Sequence, residues 1–287
     1  MVKSIQLNHP EYIEDIIAWL KKRELLTPEF KRQSPQLSRR RVLVDWTSKV
    51  AEKLQLTNCT VHLAVKIVDY FMDGHDIQNP QLFLVCLGSL LLAAKFEEKD
   101  TNVPKCSELN AFTKNRFPLS DFISLEIVIL KYFKWNLCLP TACYFTEMWT
   151  SYACLPTDHH NNGPIVSFRE AKAYFYQYVK YFLDLAMQEE VFIDARPSLL
   201  ASSLLLSARI AFGLTPKWPK SLEEITGYSK IAAEPYTEIL IKTFMKDSVE
   251  ETDVSMEDDG YQSLNTSPVG KVTEFLECSE VMEVIFN

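Results

Sequence analysis

Ser89-Leu90-Leu91-Leu92-Ala93-Ala94-Lys95 and Ser203-Leu204-Leu205-Leu206-Ser207-Ala208-Arg209 are near-copies of one another, displaced by 114 residues. Small residues interleaved with leucines suit a helix that its neighbours approach closely. Around the first copy, residues 81–97 are apolar on nearly every side, the pattern of a helix surrounded by others. The second copy lies in a similar helix, Arg196–Gly213, which Gly213 and Pro216 bring to an end. Before the first copy, Ser38 can cap a helix through Val42, Leu43, Trp46 and Val50. Asn58 can cap another with Val61, Val65, Val68 and Met72 in one stripe. After it come a short helix near 105–113 and a longer one near 120–134. Around the second copy, Pro140 opens a helix through Trp149. Ser167-x-x-Glu170 is a capping box before a long helix with Tyr174, Tyr178, Tyr181, Phe182 and Leu185. Ser221-x-x-Glu224 caps a short helix, and residues 230–246 make a last one. Each copy is therefore the third helix of a five-helix set, which reads as an internal duplication. One irregular helical domain is the alternative.

The rest of the chain fits an all-α protein. Only 7 of 287 residues are glycine, which disfavours tight hairpins, glycine-rich phosphate loops and dinucleotide-binding turns. Residues 10–24 form an N-terminal helix with Tyr12, Ile16, Trp19 and Leu20 on one face, followed by a polar segment, Thr27–Gln36. Residues 247–287 carry eleven acids against Lys271 alone, so the net charge of −8 divides into −10 there and +2 before it. The tail has the composition of a disordered, solvated segment. Neither part has the basic excess of a nucleic-acid binder. Leu82–Ala94 falls short of the ~20 apolar residues of a membrane span. Seven cysteines without a Cys-x-x-Cys pair point to thiols in a reducing, nuclear or cytoplasmic compartment.

Several segments, taken in register, resemble the cyclins. Arg40-Arg41-Val42-Leu43-Val44-Asp45-Trp46 is similar to the signature that opens the cyclin box. His62-Leu63-Ala64-Val65 with Asp69-Tyr70-Phe71 resembles its second helix, and Ala94-Lys95-Phe96-Glu97-Glu98 the end of its third. Glu126–Leu130 followed by Trp135-Asn136-Leu137 resembles its fifth. The match runs from Tyr12 to the mid-240s, with the J-type cyclins most alike. It implies an N-terminal helix and linker (1–38), two tandem five-helix boxes (39–137 and 138–247) and the acidic tail (248–287). It also implies a non-catalytic subunit that grips the mobile helix of a cyclin-dependent protein kinase and activates it, monomeric until then.

By that resemblance Lys95 and Glu126 hydrogen-bond to the kinase. Leu92, Phe96, Leu130, Trp135 and Leu137 form an apolar seat, and Tyr12, Ile16 and Trp19 touch the kinase from the N-terminal helix. Leu92, Leu130 and Leu137 read equally well as core. Arg40 and Asp69 match a buried structural ion pair. The substrate-docking groove of the family is altered: Val42, Leu43 and Trp46 are kept, but Arg39 and Lys49 stand where a methionine and a glutamate are usual. A basic docking motif would be repelled there, leaving substrates with other motifs or none.

No cofactor, metal or enzymatic signature competes. His159-His160 beside Asp158 lacks further ligands for a metal. Ser267-Pro268 is a candidate phosphoacceptor for a proline-directed kinase. Other readings from different classes are a cyclin-fold scaffold without kinase activation and a transcription-factor version of the fold that binds DNA and polymerase.

Overall fold

The computed structural model describes residues 12–161 and 163–253, with side chains through Asp247. The tail beyond 253, including Ser267, lies outside the described residues, as do residues 1–11. The chain divides into two compact units that are not contiguous in sequence. One comprises the described residues up to Phe145 together with Met187–Pro197; the other comprises 146–186 and the described residues from Ser198.

The first unit begins with α1 (Ile13–Glu24), followed by α2 (Arg40–Lys53), α3 (Asn58–Gly74), α4 (Asn79–Glu97), α5 (Cys106–Ala111) and α6 (Leu119–Tyr132). Helix α4 has 19 residues, longer than the apolar stretch read from sequence, and by length and composition alone could cross a membrane. It is nevertheless the centre of a packed helical core. Leu87, Leu90, Ala93 and Ala94 are fully buried, and α2, α3, α5 and α6 pack around it. At Gly88 an added Cβ would stand 2.8 Å from Leu125 Cδ2, so α4 and α6 approach closely there and a larger residue would make the Leu125 side chain shift.

Two expected caps sit one residue away. Helix α2 is entered through a 3₁₀ turn, Leu37–Arg39, which makes Arg39 rather than Ser38 the cap. Thr57, not Asn58, caps α3; its Oγ1 accepts from Thr60 N, and Glu98 accepts from Thr57 N at 2.7 Å. The polar segment before α2 is strapped down. The Asp73 carboxylate, at the end of α3, accepts from the backbone N–H groups of Lys31 (2.6 Å) and Gln33 (2.8 Å), while Gln36 donates to Asp76.

Residues 187–197 belong to the first unit, although the sequence places them in the second box. The reason is polar. Arg40 donates to the carbonyls of Met187 and Gln188 at 2.9 and 2.8 Å, and Arg32 pairs with Glu190 (3.1 Å) and Asp194 (2.9 Å). Met187 also packs on Val44 and Val65.

The second set of helices is α7 (Ala142–Trp149), α8 (Phe168–Gln188), α9 (Pro197–Ala211), α10 (Lys220–Thr226) and α11 (Lys230–Asp253). Helix α11 continues six residues past the expected end of the box. Helix α10 starts at Lys220 with Pro219 as its cap, so Ser221 lies inside the helix and not at its start. The loop after α7 contains an unexpected feature. His159–His160 (β1) pairs antiparallel with Gly163–Pro164 (β2) and with Leu214–Thr215 (β3). In the second unit α9 and α11 touch through Ser203 Oγ, which donates to Ala233 O at 2.8 Å. Tyr178, Tyr181 and Phe182 of α8 pack edge-on or tilted against Phe244 of α11.

Candidate functional site

In the first unit, Lys95 in the last turn of α4 faces Glu126 on α6. Lys95 Nζ donates to Glu126 Oε1 at 2.5 Å, with the side chains 46% and 22% exposed. A pair this exposed adds little stability. Its surroundings are more informative. Phe96 is half exposed, Leu130 is half-buried, and Ile123, Ile127 and Val128 of α6 are exposed. Leu119, Ile123 and Ile127 recur at i, i+4 and i+8, while Phe122 and Ile129 on the other side of α6 are buried. Helix α6 thus has two apolar faces, and one of them is left uncovered by the described residues of its own unit. Uncovered apolar surface of this kind marks an interaction site. The sequence reading passed over Ile123, Ile127 and Val128. The signal was present as a second apolar stripe on one helix.

A second set of exposed aromatics lies where α1 meets the turn after α6. Lys134 and Trp135 both take positive φ (52° and 59°), which ends α6 abruptly and leaves Trp135 70% exposed. From α1, Arg23 donates to Asn136 Oδ1 at 2.6 Å and to Cys138 O at 3.4 Å; its guanidinium lies 5.9 Å from the Trp19 ring. Tyr12 and Trp19 are more than half exposed and Ile16 is half-buried. Of the apolar seat residues, Leu92 and Leu137 belong to the core, at 3% and 7% exposure. Leu92 points among the packed helices because it lies a full turn before the exposed end of α4.

Arg40 and Asp69 join α2 to α3 in a fully buried fork. Nε and Nη2 donate to the two carboxylate oxygens at 2.7 and 2.9 Å. Burial pushes the Asp69 carboxyl up from its ordinary value, and the Arg40 guanidinium opposes that shift. On the exposed side of α2, Val42 is open and Trp46 packs edge-on against Phe83 at 4.8 Å. Leu43 is core rather than groove wall, at 3% exposure. Lys49 spends its charge on Asp45 one turn back, at 2.7 Å, so exposed Arg39 is left as the main positive group.

Two groups with large proton-affinity shifts, His62 and Lys66, sit together on α3. Desolvation lowers His62 to about 4 and Lys66 to about 8; Lys66 Nζ donates to Pro140 O at 2.6 Å. In the second unit His160 stacks on Phe212. Asp158 is taken up by Arg209, a residue that sequence reasoning did not single out. Arg209 has no exposed side-chain surface. It holds both Asp158 oxygens at 2.9 Å and donates to the carbonyls of Ala153, Pro216 and Lys217. It occupies the place in the second repeat that Lys95 holds in the first. A lone arginine in so apolar a helix needs an acidic partner, and that need was the available signal.

Comparison with known families accounts for both halves. Residues 15–138 match the cyclin N-terminal domain and residues 166–263 the cyclin C-terminal domain. The chain belongs to the cyclin family. It is 38% identical to Cyclin-J of Xenopus laevis over 232 residues, covering 79% of this chain and 60% of that protein. It is 40% identical to human Cyclin-J over 220 residues, covering 75% of this chain and 56% of that one. The chain thus spans about 60% of the length of these relatives. A viral cyclin from herpesvirus saimiri shares the fold, with a TM-score of 0.64 at 19% identity, covering 82% of this chain and 97% of that structure.

Proposed function

We propose that the uncovered face of α4 and α6, together with α1, binds a cyclin-dependent protein kinase and activates it without contributing a catalytic group. The observation that carries this reading is the Lys95–Glu126 pair set among exposed Phe96, Ile123, Ile127 and Val128. A partner laid across these apolar side chains desolvates the pair, and a desolvated donor and acceptor fix the register of a docked helix. The i, i+4, i+8 stripe on α6 is the surface that another helix packs against. Tyr12, Trp19 and Trp135 supply aromatic anchors at its border. Activation follows if docking moves a mobile kinase element into place, since the energy then comes from burial and not from new chemistry.

In this reading the chain is a monomer until it meets the kinase, and it works in the nucleus or cytoplasm. The α2 surface, where Arg39 flanks Val42 and Trp46, disfavours basic docking peptides. The test is reconstitution with a panel of inactive cyclin-dependent kinases, following complex formation and substrate phosphorylation. One kinase binds and turns on, and the Lys95→Ala/Glu126→Ala variant loses more than ~1 kcal/mol of binding. Complexes without phosphorylation would remove activation from the proposal. No complex with any kinase would remove it altogether.

A further inference from the structure

Cys59 and Cys143, 84 residues apart in sequence, meet in the interior of the first unit. Their sulfurs lie 3.3 Å apart, with the Cys59 thiol donating to Cys143 Sγ, at exposures of 3% and 0%. Each is the second residue of its helix, α3 for Cys59 and α7 for Cys143. That first-turn position places each sulfur at the positive end of its helix dipole, which favours a sulfur taking on negative charge. The remaining buried thiols, Cys86 and Cys154, donate to no other sulfur among the described residues.

We infer that Cys59 and Cys143 form an oxidation site that a small peroxide converts reversibly to a disulfide. A disulfide needs its sulfurs at about 2.05 Å, so closure moves them together by about 1.2 Å. In the first step one thiol attacks hydrogen peroxide; the O–O bond breaks, leaving a sulfenic acid and one water. In the second the neighbouring sulfur attacks the sulfenic sulfur, forming the S–S bond and releasing a second water. Two thiols lose two electrons, two electrons reduce the peroxide, and the thiol protons leave in water. Burial admits a small neutral oxidant and excludes bulky thiols such as glutathione. Next to this pair, the Tyr144 hydroxyl donates to the Glu97 carboxylate, two residues past Lys95. The new bond therefore ties the starts of α3 and α7 beside the exposed end of α4.

The experiment treats the full chain with hydrogen peroxide and maps its cysteines by non-reducing peptide mass spectrometry, alongside thermal melts. It needs no kinase, so it stands or falls apart from the docking proposal. The Cys59–Cys143 cross-link dominates, Tm rises by more than about 4 °C because a long loop is closed, and dithiothreitol reverses both changes. The Cys59→Ala variant shows neither. Recovery of Cys59 and Cys143 as thiols, or as separate sulfinic acids, while half-exposed Cys106 and Cys138 have reacted would overturn the inference. So would a dominant cross-link between any other pair.

Discussion

Replacing Arg209 by methionine tests the second unit at its most demanding point. The guanidinium and the Asp158 carboxylate are 0% and 1% exposed, and the arginine also satisfies the carbonyls of Ala153, Pro216 and Lys217. Methionine fills similar volume but leaves the Asp158 charge in the interior. Removing one partner of a buried pair costs about 3–5 kcal/mol, because the remaining ion keeps its desolvation penalty. The abandoned carbonyls push the figure toward the upper end, each unmade bond costing roughly 1 kcal/mol. Asp158→Asn also leaves one ion buried, the Arg209 guanidinium, but is milder: that cation keeps its three carbonyls, and an amide oxygen can still accept from Arg209 or from Leu155 N, which donates to Asp158 at 2.8 Å. Adding Asp158→Asn to Arg209→Met should recover about 1–2 kcal/mol, since no bare charge is then buried. Urea unfolding of the four proteins, read by far-UV circular dichroism, gives the double-mutant cycle. A loss below 1 kcal/mol for Arg209→Met, or strict additivity of the two changes, would refute the reasoning.

Acid exposes His62. Its imidazole titrates near 4 in the fold and near 6.5 when unfolded, so the unfolded chain takes up the proton first. Stability present above pH 6.5 is lost as pH falls to 4, by up to roughly 3 kcal/mol, and His62→Leu flattens that part of the profile in urea titrations at pH 7 and 4.5. Gly88→Ala sets a methyl against the movable end of the Leu125 side chain while gaining helix propensity, so thermal melts should show a change below about 1 kcal/mol. Ile127→Asp should leave the melting temperature within about 2 °C, since the side chain is exposed, yet lower affinity for the kinase at least tenfold in a pull-down titration. A basic docking peptide should bind the isolated chain with a Kd weaker than about 100 μM by fluorescence anisotropy, and Arg39→Met should tighten it.

What could be read from sequence follows from what repeats in it. The helices and their duplication were legible because leucines and small residues recur at helical spacing over whole turns, most plainly in the two seven-residue copies. Cap positions shifted by a residue because Thr57 and Asn58 are both able cap residues and only the backbone decides between them. The β1–β2–β3 ladder was invisible, since two-residue strands carry no alternation to detect. Residues 187–197 changed unit through bonds to Arg32 and Arg40, contacts across more than 140 positions that no local pattern encodes. At the candidate site, charge and register picked out Lys95 and Glu126. Exposure separated Phe96 and Trp135 from Leu92 and Leu137, four residues that hydrophobicity alone treats alike.

The Asp73 strap has a consequence for how fast and how selectively a partner is met. Between α1 and α2 the backbone of Lys31 and Gln33 is pinned to one carboxylate, and Arg23 fastens the end of α1 to Asn136 and Cys138. A free tether of this length would surrender roughly 1 kcal/mol or more per residue when frozen by a partner. Here that ordering was completed when the protein folded. Tyr12 and Trp19 thus wait in place, so encounter resembles the meeting of two rigid bodies, and Asp73→Ala would show itself first as a slower association rate.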